Sequence, residues 1–146
     1  SFKKQNEKKF YYYNPNITDK NFPNPSRILK PGDKLQVRTF KQTVGGNTTS
    51  EERMAFLATQ NAVYQGAQGV SLVFDQKRDQ LTKGYWYVSY DKKGRLWQDP
   101  DGNHGLPYVN ADSDGDFNFG LGDFELDWCP VSILLCFCDL LESSGA

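Results

Sequence analysis

A chain of 146 residues has the length of one domain and enough mass to bury a core without metal or disulfide staples. Its formal net charge is −1, but residues 1–70 hold eleven Lys and Arg against five Asp and Glu, while residues 71–146 hold six against thirteen. After Arg95 ten acids follow with no Lys or Arg, and a surface of that sign repels phosphate backbones, which argues against nucleic acid as a partner.

Residues 1–32 are rich in Asn, Lys and Pro. Lys3, Lys4, Lys8 and Lys9 are not followed by the apolar stretch of a secretion signal. Pro15, Pro23, Pro25 and Pro31 exclude a long regular element, so this segment is expected to be an extended polar arm, anchored at Phe10 to Tyr13. A single domain is expected over residues 33–142. From Asp33 to Phe40, Leu35, Val37 and Thr39 alternate with Lys34, Gln36 and Arg38, the two-residue period of a half-buried strand. Gly45-Gly46-Asn47 breaks the chain, and Thr49 with Glu52 three residues on forms a capping box. The helix it opens carries Met54, Leu57, Ala58, Ala62 and Gln65 on one face, and Gly66 supplies a stop.

Val70 to Phe74 reads as a short apolar run, and Gln76 to Leu81 as a helical turn or loop. Tyr85 to Tyr90 is strongly β-prone, Asp91 to Gly94 is turn chemistry and Arg95-Leu96-Trp97 returns, which predicts a hairpin. Asp99 to Pro107 reads as a loop, with Tyr108 and Val109 opening a further strand. Ile133 to Leu141 is nearly all apolar and predicts a central strand. It belongs to the longest apolar stretch, which begins at Val131, is interrupted by Ser132 and Asp139 and is too short to cross a bilayer; no membrane insertion is expected. The fold class is therefore α+β: a mostly antiparallel sheet with one or two helices.

Cys129, Cys136 and Cys138 are an odd number crowded into ten residues, unlike a disulfide framework, and they fit a reducing compartment such as the cytoplasm. Cys136-Phe137-Cys138 lacks zinc-knuckle spacing, and the single histidine, His104, is far away in sequence. Asp112-Ser113-Asp114-Gly115-Asp116-Phe117-Asn118 places oxygens at alternate positions, which a hard cation such as calcium favours. The glycine and the missing twelfth-position Glu depart from an EF-hand loop. The same pattern is also a strand alternation, with Phe117, Phe119 and Leu121 facing the core and Asp114, Asp116, Asn118 and Gly120 facing water. In the aromatic run at 85–87 alternate side chains point opposite ways, so at least one ring is expected outside unless both faces are covered. No GxSxG, HExxH or Gly-rich phosphate loop is present, and the chain is not expected to be an enzyme.

At Gly84-Tyr85-Trp86-Tyr87-Val88-Ser89-Tyr90, and again at Asp127-Trp128 followed by Leu134-Leu135-Cys136-Phe137, the sequence resembles C-type-lectin-like domains of the bacterial and phage kind. Residues 84–139 resemble the C-terminal end of variable proteins diversified by diversity-generating retroelements, whose binding residues are rewritten by mutagenesis of adenines. The resemblance implies a late hairpin and a final strand flanking an irregular, ligand-facing segment at residues 110–133. It implies ligand-binding positions at Asn110, Ser113, Gly120, Asp123, Leu126, Cys129, Val131, Ser132 and Ile133; the last seven can each arise from an asparagine codon changed at its adenines. Phe117, Phe119, Leu121, Phe124 and Trp128 would be the fixed scaffold. The implied partner is a protein or other macromolecule, with no cofactor. The Glu-Pro-Asn motif and paired disulfides of sugar-binding C-type lectins are missing, so no carbohydrate specificity carries over. Two alternatives stay open: a calcium-dependent carbohydrate binder using Asp112, Asp114, Asp116 and Asn118, and a small hydrolase using an Asp pair such as Asp114 and Asp116.

Overall fold

Phe119, Val109, Tyr87 and Ile133 lie opposite one another on four neighbouring strands, all buried, and that row organises the chain. The computed structural model describes residues 1–139 apart from Asn24 and Val44. Its strands are β1 (Tyr12–Tyr13), β2 (Leu35–Phe40), β3 (Trp86–Val88), β4 (Trp97–Gln98), β5 (His104–Ala111), β6 (Phe117–Asp123) and β7 (Ser132–Asp139). They form one seven-stranded sheet in the order β1-β6-β5-β3-β7-β2, with β4 paired to β5. All pairings are antiparallel except β1 with β6 and β3 with β7. Among the described residues the α-helices are α1 (Phe2–Asn6), α2 (Ser50–Thr59) and α3 (Gly66–Lys77), so the fold class is α+β and mostly antiparallel.

Because side chains alternate across a strand, each cross-strand row belongs to one face of the sheet. The row Tyr13-Phe119-Val109-Tyr87-Ile133 packs with Ala67, Val70, Val73 and Phe74 of α3 and with Phe10 and Ile17. On the opposite face Val88, Leu106, Leu134 and Cys136 pack with Leu57 of α2 and with Trp128. Next to that second cluster, one register step away from the core row, lies Tyr12-Asn118-Asn110-Trp86-Ser132.

Several expectations are corrected. The N-terminal segment is not an extended arm: residues 2–6 are helical, Tyr12 and Tyr13 join the sheet, and Phe10 and Ile17 are buried. Short aromatic runs anchor it where proline count alone suggested solvent. The Thr49–Glu52 capping box is present, but α2 stops at Thr59, and Gly66 begins α3 instead of ending α2. Helix α3 itself goes unannounced because its first turn has no side-chain cap and contains Gly66 and Gly69, both poor helix formers. Those glycines serve contact: a Cβ at Gly69 would stand 2.6 Å from the Phe137 ring.

The expected hairpin is also absent. Trp86–Val88 and Trp97–Gln98 both pair with β5, along different stretches, rather than with each other. Long-range pairing of β3 between β5 and β7 buries Tyr87 and Val88 on both faces, which local turn chemistry cannot match. The loop expected through Pro107 ends at His104, and Pro107 sits inside β5. An amide nitrogen and carbonyl of one residue point the same way, and the Pro107 carbonyl accepts from Ser89 just past the end of β3. The missing N–H therefore forfeits only the reciprocal bond to Ser89, one residue beyond the end of β3. Residues 110–133 are not irregular throughout, since β6 occupies their middle and only 112–116 and 124–131 lie outside strands. β7 is central as expected; Leu140, Leu141 and the rest of the chain to Ala146 lie outside the described residues.

Candidate functional site

β6 and β7 are consecutive in sequence but separated in the sheet by β5 and β3, so residues 124–131 must cross two strands. Trp128 shows which face they cross. Its ring packs on β6, where a Cβ at Gly122 would stand 2.6 Å away, and its Nε1 donates to Ser50 Oγ of α2 at 2.6 Å. The crossing therefore lies on the α2 side of the sheet with Trp128 tucked beneath it.

The backbone of this crossing is held from outside. Thr48 and Trp128 exchange two main-chain hydrogen bonds of 2.9 and 2.7 Å, and Trp86 N–H donates to the Val131 carbonyl at 3.0 Å. Arg53, buried on α2, donates from Nη1 to the Ser132 carbonyl at 2.6 Å and from Nη2 to the Cys129 carbonyl at 3.3 Å. Its guanidinium carbon stands 6.0 Å from the Trp128 ring. Burial beside this network pushes the Tyr90 phenol up to about 12, partly offset by its contact with Ser50. Most of these anchors grip main chain or Trp128; the side chains of Leu126 and Val131 make no hydrogen bond among the described residues, and the Cys129 thiol makes only a long 3.8 Å contact with Ser132 Oγ.

Those three side chains face outward, with Leu126 62% and Val131 36% exposed and Cys129 also exposed. Asp123 is exposed at the end of β6, and Ser113 is exposed on the turn joining β5 to β6. Beside the crossing the polar row is only partly covered: Trp86 is 36% and Tyr12 47% exposed. Asn110, Gly120 and Ser132 share this face but are buried, with Gly120 lying under the Tyr108 ring. Burial also raises the Tyr108 phenol. Ile133 is on the other face at 1% exposure, inside the core, and cannot meet a ligand. Of the nine expected ligand-binding positions, Ser113, Asp123, Leu126, Cys129 and Val131 are therefore the exposed ones, and Trp86 and Tyr12 are partly exposed on the polar row. Trp86 is the outward ring that alternation demanded; Tyr12 and Arg53 escaped notice because their partners are remote in sequence.

The Asp cluster is real in space: carboxylate oxygens of Asp112, Asp114 and Asp116 lie within 4.8 Å of one another. Asp112 Oδ1, however, accepts the backbone N–H groups of Asp114 and Asp116 at 3.0 Å each, closing the turn. Asn118 belongs to β6, in register with Asn110 and Tyr12. The turn holds itself by its own amides, so chelation is expected to leave the melting temperature almost unmoved. A large drop with EDTA, reversed by calcium and not by magnesium, would promote the calcium reading. His104 opens β5 and holds Glu125 of the crossing through Nδ1 at 3.1 Å and through its backbone N–H. That pair tethers one end of the crossing, and no Ser or Cys is recorded in contact with the imidazole among the described residues.

No family model, curated protein or solved structure matches the chain.

Proposed function

We propose that this chain is a ligand-recognition protein with a C-type-lectin-like scaffold and a diversifiable surface, and that its partner is a protein or other macromolecule. The observation that carries the reading is the division of labour in residues 124–131. The path is fixed by main-chain bonds to Thr48, Trp86 and Arg53, by the His104–Glu125 pair and by the burial of Trp128, while the side chains of Leu126, Cys129 and Val131 project outward and contribute at most the long thiol contact of Cys129 with Ser132. A surface built this way accepts new side chains without changing shape. Two further features support it: the β5–β6 hairpin and β7 flank the irregular segment, and the exposed Val131 beside Trp86, with Leu126 further along the crossing, supplies contact area of the kind that dominates interfaces.

The test is a pair of displayed libraries. One is randomised at positions 113, 123, 126, 129 and 131, the other at 109, 119, 133 and 135, and both are selected against a single protein such as lysozyme. The first library should stay largely folded and yield binders, and the second should yield mostly unfolded chains. Loss of folding in the first library would sink the proposal. In the source genome, a reverse transcriptase gene beside a near-copy of the 3′ coding segment, differing only at adenines, is the matching expectation.

A further inference from the structure

Arg53 is 5% exposed and has no carboxylate partner among the described residues. Its guanidinium donates only to neutral oxygens: Thr48 Oγ1 at 2.8 Å, Gln42 Oε1 at 3.1 Å and the carbonyls of Cys129 and Ser132. None of the ion pairs among the described residues includes it. A guanidinium has five N–H donors, and these four bonds leave one Nη1 hydrogen without an acceptor among the described residues. A buried cation without a counter-charge is costly, and an anion that reached it would recover part of that cost.

An anion has a route. Arg53 forms part of the wall of a cleft of about 420 Å³ whose apolar surfaces are Phe40, Phe56 and Leu134. Phe40 and Phe56 meet edge to face with centroids 4.9 Å apart, and Phe56 is 37% exposed at the surface. Lys41 lines the same cleft; its ammonium rests on Tyr85, 4.4 Å from the ring centroid and 3.4 Å from Oη, with no carboxylate partner among the described residues, so it must swing from that ring to meet a ligand. Glu52 is the acid on the lining, but one of its oxygens is taken by Thr49 N and Oγ1 in the capping box. Hydrogen bonding does not neutralise Glu52, so the lining sets two cations against one acid, a net positive charge beside an aromatic wall in a space of the size that small ligands occupy.

We propose that this cleft binds a small organic carboxylate, with its apolar body against Phe40, Phe56 and Leu134 and its carboxylate between Arg53 and Lys41. The site is separate from the recognition surface, though Arg53 links the two by holding the carbonyls of Cys129 and Ser132. Occupancy would therefore stiffen the crossing at residues 124–131 without occupying its outer side.

The probe is 1-naphthoate, titrated into the intact protein by calorimetry, with neutral 1-naphthamide as the matched control. Because Arg53 also holds the crossing, replacing it would mix two effects, and the exposed wall residues give the cleaner test. Naphthoate should bind saturably and about tenfold more tightly than naphthamide, the margin of one charge-assisted hydrogen bond. Lys41→Gln and Phe56→Ser should each weaken binding with little change in melting temperature, and Leu126→Ala should leave it unchanged. Equal binding of acid and amide, no saturable binding at millimolar naphthoate, or full binding by the Lys41→Gln, Phe56→Ser double variant would each overturn the proposal. Weakening by Leu126→Ala alone would also overturn it, by moving the ligand to the recognition surface. The library selection can succeed or fail independently of all these outcomes.

Discussion

Trp128→Ala should lower stability by about 3–5 kcal/mol, the range for truncating a large buried aromatic side chain. The ring is 8% exposed and contributes to the cluster with Leu57, Val88, Leu106 and Leu134. Its removal opens a cavity over Gly122 and leaves Ser50 Oγ without its indole donor beneath α2. For a domain of this size the loss corresponds to a fall in Tm of roughly 10 °C or more. Trp128→Phe keeps most of the volume and loses mainly the 2.6 Å hydrogen bond, so its cost should be about 1–2 kcal/mol. Urea melts of both variants measure this directly. The contrasting variant replaces Asp123, Leu126, Cys129 and Val131 together by alanine, which should leave the melt nearly unchanged because those side chains are exposed. Including Ile133 in such a set would unfold the chain for reasons unrelated to binding. If the surface variant unfolds while Trp128→Ala melts normally, scaffold and display have been exchanged.

What the sequence made legible follows from the range of the interactions. The α2 capping box, the alternation of β2 and the alternation of Phe117, Phe119 and Leu121 are set by neighbours a few residues apart, and each is visible without the fold. The position of β3 is not, because its partners lie on β5 and β7, and a turn signal at Asp91–Gly94 competed with pairings that no local pattern encodes. The same limit governs the site. Trp128 was readable as scaffold and Leu126, Cys129 and Val131 as candidates, yet only the fold separates them from Asn110, Gly120, Ser132 and Ile133, which are buried. Arg53 reaches carbonyls 76 and 79 residues away, so nothing near it in sequence marks it as the residue that fixes the crossing.

Asp91→Asn should stabilise the protein at pH 8 and have almost no effect at pH 4. Asp91 is 6% exposed, its Oδ2 has no hydrogen-bond partner among the described residues, and its carboxylate lies against Gly66 at the start of α3. Burial pushes its pKa from 3.8 to about 7. A folded-state value above the unfolded one means that the native state holds the proton more tightly. The stability linked to this group is therefore fully present below pH 3.8 and falls as pH rises through about 7. Each pKa unit corresponds to about 1.4 kcal/mol, so the penalty at pH 8 is on the order of 2–4 kcal/mol. Asparagine keeps the shape and cannot ionise, so the variant removes the penalty where it exists and nothing where it does not. Other titrating groups are common to both proteins and cancel in the difference between their urea melts. A stability gap that is the same at pH 4 and pH 8 would show that packing, rather than the proton, separates them. Gly66 has φ +50° and a Cβ there would collide with the Asp91 carboxyl, so the pair is also fixed sterically. Gly66→Ala should consequently destabilise at every pH, and that pH-independence distinguishes steric loss from ionisation.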